Sequence, residues 1–392
     1  MTELAQQSNP PGCPVRMSDY QLCGRPIHPA PSDVDERPVC LMHSCDQRKD
    51  AEAFHDEVDA ILAGTSRFHR PRERFNFPRF VFPAADFGEA RFTQGADFGE
   101  ARFTQEADFG RVTFTQGANF WEAMFSEDAD FSRSLWGPSK GEPVVEQVEL
   151  AVADFRDAKF LKPELVRFLR VNEEGKSGFR ARFVNCPIKG VSFEDVHWHR
   201  EKGRMVLQDE LDRLANVPET ASCEQVAAAY RRFIINFDEA KHYDLAEDCM
   251  VGAMEMKRLD PAKFLFAGRL GPFYEKWSWL RWLGEHVSVT NLYRLASNYG
   301  SSYVHAFGVL ILLLFSFALL FTLSGVDPNP NNRAAALAPA GLIHAVEVVT
   351  FQSPTRYVVG SGLGWFLEQV ERLFVAAQVA LFLLALRRRF RR

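Results

Sequence analysis

Residues 84–131 read AADFGEARFTQ (84–94), GADFGEARFTQ (95–105), EADFGRVTFTQ (106–116), GANFWEAMFSE (117–127) and DADF (128–131). Phenylalanine stands at Phe87, Phe92, Phe98, Phe103, Phe109, Phe114, Phe120, Phe125 and Phe131, alternately five and six residues apart. Two positions ahead of each is a small apolar residue, from Ala85 and Ala90 through Val112 to Ala129. The pattern returns as Ala153/Phe155 and Ala158/Phe160. It returns again, strictly five apart, as Ala181/Phe183, Cys186/Ile188, Val191/Phe193 and Val196/Trp198.

On an extended chain, residues two apart point the same way. A small and a large apolar residue can therefore share one inward face, and repeating the pair every five or so residues turns the chain by a fixed angle. The result is a right-angled solenoid whose coils supply each other's backbone partners. An amphipathic helix is excluded, because steps of five and six advance about 140° and 240° around a helix and form no stripe.

These tandem A(D/N)F-x-x runs resemble the pentapeptide-repeat family, which implies a right-handed quadrilateral β-helix. Phe replaces the more usual Leu here, and an extra residue enters every second repeat. About 15 repeats at four per coil predict roughly four coils, a stub about 20 Å tall at the usual strand spacing. Gly137, Pro138 and Gly141 mark a loop at 134–152.

The rest of the chain is multidomain: 392 residues exceed one ordinary core. Six segments are expected: a Cys/His module (1–50), a linker with a short helix (51–82), the β-helix (83–200), an α-helical hairpin (205–262), an interfacial amphipathic segment (264–300) and a two-helix membrane module (301–392). Ser222 and Gln225 form a capping box ahead of Val226–Phe237, with the hairpin turn near Glu239–His242. Membrane-bound members of the resembled family carry a similar segment.

Tyr303–Leu323 contains no Asp, Glu, Lys or Arg. Its length of about 32 Å as a helix suffices for a bilayer core. Leu363–Leu386 offers a second span, with Glu368, Glu371 and Arg372 near one end; a helix lying on the membrane surface is the alternative. Five Arg follow it within Arg387–Arg392, while the connecting loop 324–362 holds only Arg333 and Arg356. The positive-inside rule places both termini in the cytoplasm. Trp277, Trp279 and Trp282 suit an interfacial helix. No secretory signal is expected from the polar, Pro-rich start.

The tail resembles the two-transmembrane potassium-channel module of some bacterial pentapeptide-repeat proteins. A pore-like loop would be Thr350, Phe351, Gln352 and Ser353. A potassium filter needs closely spaced backbone carbonyls, as a Thr-x-Gly-Tyr-Gly run supplies. Pro354 and the absence of Gly there point to a degenerate module, kept as an anchor or oligomerisation unit.

Cys13, Cys23, Cys40 and His43 bring three thiols and an imidazole into 31 residues, a donor set suited to structural Zn²⁺. A metal would supply folding energy that this Pro-rich stretch lacks. Cys45 is an alternative to His43, and a disordered tail with free thiols is the alternative to a site. The module resembles the small N-terminal Cys/His module of some bacterial pentapeptide-repeat proteins. His197 and His199 lack a third ligand, and Cys186 occupies an inward repeat position.

A formal net charge of -5 excludes a strongly basic nucleic-acid binder. No phosphate loop, nucleophile elbow or paired-carboxylate motif suggests an enzyme. The leading expectation is a non-enzymatic inner-membrane protein whose solenoid is a binding or sensor platform for an unidentified protein or ligand. A weakly selective pore, tetrameric if it exists, is the second. A DNA mimic acting on a topoisomerase is the third, from ten Asp/Glu against four Arg in 84–135.

Overall fold

The structure is a computed structural model, described here for residues 12–17, 20–30, 34–68, 74–138, 151–218, 220–260, 289–329, 339–350 and 356–390. The chain divides into two compact units, Met1–Met256 and Lys257–Arg392.

The first unit is built on four parallel sheets, one per face of a coil. One stacks Arg74–Asn76, Gly95–Asp97, Gly117–Asn119, Val152–Asp154 and Arg180–Arg182. The next stacks Val81–Phe82, Arg102–Phe103, Met124–Phe125 and Lys159–Phe160. The third runs from Ala85–Asp86 through Ala107–Asp108, Ala129–Asp130 and Val166–Leu169 to Ser192–Glu194. The fourth holds Arg91–Phe92, Thr113–Phe114 and Leu135–Trp136. Partners such as Ala85↔Ala107 and Ala107↔Ala129 lie 22 residues apart, one coil.

The alternation of five and six has a local cause. At five-residue corners the chain makes a hydrogen-bonded turn: Ala90 N donates to Phe87 O at 2.9 Å and Ala101 N to Phe98 O at 3.0 Å. The third residue of each turn, Glu89, Glu100, Arg111, Glu122 or Arg133, has left-handed φ between 54° and 63°. The preceding Asp or Asn closes the turn from its side chain, as when Asp86 Oδ1 accepts from Gly88 N at 3.0 Å and Asp108 Oδ1 from Gly110 N. Six-residue corners such as Thr93–Gln94 bend without that backbone bond, and the extra residue widens them. Gly117, at a wide corner, has φ +100°, and a Cβ there would come within 2.6 Å of Val152 O.

Ring stacking accounts for sixteen of the 35 Phe of the chain. Strands about 4.8 Å apart place rings of successive coils at stacking distance. Phe87, Phe109, Phe131, Phe168 and Phe193 form one ladder with centroids 4.8–5.2 Å apart. Phe77, Phe98, Phe120, Phe155 and Phe183 form a second, at 4.9–5.2 Å. Phe82, Phe103, Phe125 and Phe160 form a third, and Phe92, Phe114 and Trp136 a fourth. Ile188, fully buried, falls in sequence between Phe183 and Phe193.

Three details differ from the sequence expectation. Strands begin at Arg74, inside the stretch assigned to a linker. Leu135–Trp136 continue the solenoid where a loop was expected from 134, and 139–150 lie outside the described residues. Two faces carry five strands, one coil more than four.

Both ends are covered. Helix α1 (Ala51–Leu62) packs Phe54 against Phe80 and Phe82 at the first coil. After α2 (Gln208–Leu214), helix α3 (Cys223–Glu239) lies across the last coil. Its Phe233 meets Phe183, Phe193 and Trp198, and Asn236 Nδ2 donates to Ile188 O and Val191 O. Ser222 and Gln225 form the capping box of α3. Helix α4 (Tyr243–Leu259) follows a three-residue turn and meets α3 at Gly252, where a Cβ would lie 2.6 Å from the Tyr230 ring.

The second unit contains α5 (Val289–Ser297), α6 (Tyr303–Ser324), α7 (Ala340–Val349) and α8 (Gly362–Phe390). Two helical stretches, Tyr303–Ser324 and Gly362–Arg387, are long and apolar enough to cross a membrane, with mean hydropathy 2.7 and 1.6. α6 directs Leu312, Phe315, Leu319 and Leu323 outward, each more than half exposed. The short α7 packs against α6 so closely at Gly341 that a Cβ would lie 2.3 Å from Ala318 O. Phe317, Ala318, Phe321 and Ala345 form the core of that contact. Val326–Pro328 pairs antiparallel with Tyr357–Val359. The tryptophans of the expected interfacial segment fall within 261–288, outside the described residues.

Candidate metal centre

Two short pieces of backbone bring the four predicted ligands together. Residues 13–16 and 22–25 form a hairpin: Cys23 N donates to Val15 O and Cys13 N to Arg25 O, both at 2.8 Å. Gly24, at φ +67°, turns the chain after Cys23. Cys40 and His43 sit on one turn, His43 N donating to Cys40 O at 3.0 Å. All four ligand atoms are buried and lie within 4.8 Å of one another.

The distances suit one tetrahedral ion. Zn–S bonds of about 2.3 Å and Zn–N of about 2.0 Å require S···S near 3.8 Å and S···N near 3.5 Å. Cys23 Sγ and Cys40 Sγ are 3.8 Å apart, and His43 Nδ1 lies 3.5 Å from Cys13 Sγ and 3.1 Å from Cys40 Sγ. His43 Nε2 donates to Pro78 O at 3.3 Å, which fixes the tautomer and frees Nδ1 for metal. The Cys13 and Cys40 thiols pull Cys23 well below the usual thiol range, whereas contacts with Cys13 and Cys23 push Cys40 up. The buried cluster could hold a metal ion.

Three thiolates around a divalent ion would leave one net negative charge, and Arg25 stands against it. Its Nη1 donates to Cys23 Sγ at 3.3 Å while Glu57 of α1 anchors the guanidinium at 2.7 Å. Cys45 is not part of the cluster: it is half-buried and its Sγ lies 3.6 Å from Arg102 Nη1. Lys49 is the larger surprise. It is buried, donates Nζ to Leu41 O, Ser44 O and Val81 O, and lies 4.6 Å from the Phe54 ring centre. Burial pulls its pKa down to about 8. Nothing in the sequence marks Arg25 or Lys49, because their roles depend on α1 and the first coil.

The centre is joined to the solenoid through that coil. Val81 N donates to Met42 O at 2.8 Å, and the His43 ring meets Phe80 edge-on at 5.2 Å. The Cys/His module thus closes the N-terminal end of the Phe stack.

The other predicted positions separate. The twelve solenoid residues, Phe87 to Phe193, are all buried. Thr350 ends α7 with its hydroxyl donating to Val346 O, while Phe351, Gln352 and Ser353 lie outside the described residues. His199 faces Glu201 at 3.7 Å and joins no metal cluster among the described residues. Cys186 is fully buried, and burial pushes its thiol well up.

Residues 77–124 and 87–135 match the family described as pentapeptide repeats (9 copies). No curated protein matches the chain, and no solved structure does.

Proposed function

We propose that this is a non-enzymatic integral membrane protein of a bacterial cell membrane. Its cytoplasmic pentapeptide-repeat solenoid is a binding or sensor platform, capped by a structural Cys₃His zinc centre and held by the two-helix unit. The observation that carries the membrane part is the outward row of large apolar side chains on α6. The core helix of a soluble protein would turn them inward. Pentapeptide repeats support a platform because their side chains are committed to coil formation rather than to a reaction centre. With both ends covered, the faces of the stack are what a partner can reach. One carries a shallow polar cavity of about 390 Å³ lined by Arg74, Gln116, Asn119, Asp154, Arg182 and Gln208.

Recovery in the membrane pellet after carbonate washing, with about one zinc per chain, is the expected result. Release into the wash would end the membrane reading.

A second reading, an oligomeric and weakly selective pore, draws support from the order span, short apolar helix, span. A tetramer by light scattering would favour it, and a monomer would exclude it. The acidic residues argue against a DNA mimic. Asp86, Asp97, Asp108 and Asp130 close turns, and Glu89, Glu100, Glu127 and Asp128 pair with Arg111, Arg79, Lys162 and Arg167.

A further inference from the structure

One group inside the membrane unit has no counterpart in the site described above. α8 buries a face on which Glu371, Val375, Gln378 and Ala385 succeed one another. Gln378 finds acceptors there: its Nε2 donates to Ala296 O and Ala306 O, each at 2.7 Å. Glu371 does not. It is 0% exposed, and both carboxylate oxygens lack a hydrogen-bond partner among the described residues.

The neighbouring charges do not compensate it. Among the described residues, the charged groups that act on Glu371 are Glu368 and Arg372 of its own helix, and Arg372 is turned to Glu368, 3.6 Å away. α6 has no Asp, Glu, Lys or Arg, and its His305 bonds Leu295 O. α7 brings Glu347, which faces Arg356, and His344. α5 brings Arg294, which is not among the groups acting on Glu371.

His344 is also fully buried. Its Nδ1 donates to Tyr357 O at 3.3 Å. Its Nε2 faces Glu368 Oε1 at 3.0 Å, off the line of a hydrogen bond. An unpaired carboxylate in an apolar interior favours its neutral form.

We propose that the membrane unit encloses a proton-binding site, with Glu371 held as a neutral carboxylic acid. Binding adds one H⁺ to a Glu371 oxygen, and release returns it without electron transfer. Polar groups in such positions commonly mark proton or ion routes.

Infrared difference spectroscopy between alkaline and neutral pH, on full-length protein in phosphatidylcholine liposomes, tests this. An Asp209→Asn background removes a second buried acid. The expected result is the carbonyl band of a neutral carboxylic acid at neutral pH, lowered in D₂O, lost in Glu371→Gln and kept in Glu368→Gln. Glu371→Gln has the shape of the neutral acid and should reconstitute normally; the D₂O shift identifies the carboxyl without it. Absence of the band overturns the proposal, as does a band unchanged in Glu371→Gln. Loss of the band on adding sodium or potassium at fixed pH also overturns it, since a metal cation would then be the ligand. The inference takes this unit to lie in a bilayer, and flotation of the same liposomes reads that separately.

Discussion

Each Phe in the solenoid stabilises the fold twice, by leaving water and by stacking on the rings above and below. Phe109 is fully buried between Phe87 and Phe131, with centroids at 5.2 and 5.0 Å. Phe109→Ala is therefore expected to destabilise the protein by about 3–5 kcal/mol in denaturant titrations. Phe109→Leu, which restores the residue more usual in such repeats, should cost roughly 1–1.5 kcal/mol. Equal losses for the two would mean that stacking, rather than filled volume, dominates. Asp209 supplies a pH signature. Burial raises its pKa to about 7 while Oδ2 accepts from Phe183 N at 2.8 Å. The folded state therefore holds a proton that the unfolded state has released. Stability is expected to fall as pH rises from about 4 to about 7, by of order 4 kcal/mol at most. Asp209→Asn should flatten that decline; an unchanged pH profile would show that Asp209 ionises normally. Residues at the first coil were harder to read. Phe80 and Phe75 stand where later repeats have Ala, two places before Phe82 and Phe77. The small slot is not needed at an end, and there Phe80 reaches His43 and Phe54.

At the scale of elements, the two caps do the work that a further coil would otherwise do. An exposed solenoid end presents unpaired strand groups and bare aromatic rings. α3 covers the last coil with Phe233, Phe237 and Asn236, and the Cys/His module with α1 covers the first. Stability of the N-terminal coils should then depend on metal. Chelation, or Cys40→Ser, is expected to lower the melting temperature by on the order of 10 °C and to raise binding of a hydrophobic dye. A melting curve indifferent to chelator would show that the cap stands on packing alone. The ligands were legible because Cys and His are rare and chemically distinct. The later solenoid was less so: a 3₁₀ turn at Pro163–Leu165 precedes Phe168, and Trp136 takes a Phe position, so the strict spacing breaks while the ladders continue.

For the whole molecule, the chain joins a unit whose Phe ladders are buried to one whose helix α6 directs a row of large apolar residues outward. The second needs lipid or partner copies to cover α6. Full-length protein is expected to float with liposomes. In detergent, light scattering reads the copy number: a tetramer directs attention to ion flux, and a monomer or dimer leaves the helices as an anchor.

The amino-acid sequence by itself determined the solenoid, the two long apolar helices and the four candidate ligands. Each rests on a pattern that local geometry imposes: a period, a run without charge, a donor set. Only the tertiary structure decided what those parts do to one another. It placed the Cys/His cluster as a lid on the Phe stack and turned Cys45 away from it. It recruited Arg25 and Lys49 to that lid and left Glu371 without a hydrogen-bond partner among the described residues of the second unit. These outcomes depend on contacts between residues far apart in the chain, where burial and the supply of partners are set by packing and not by spacing.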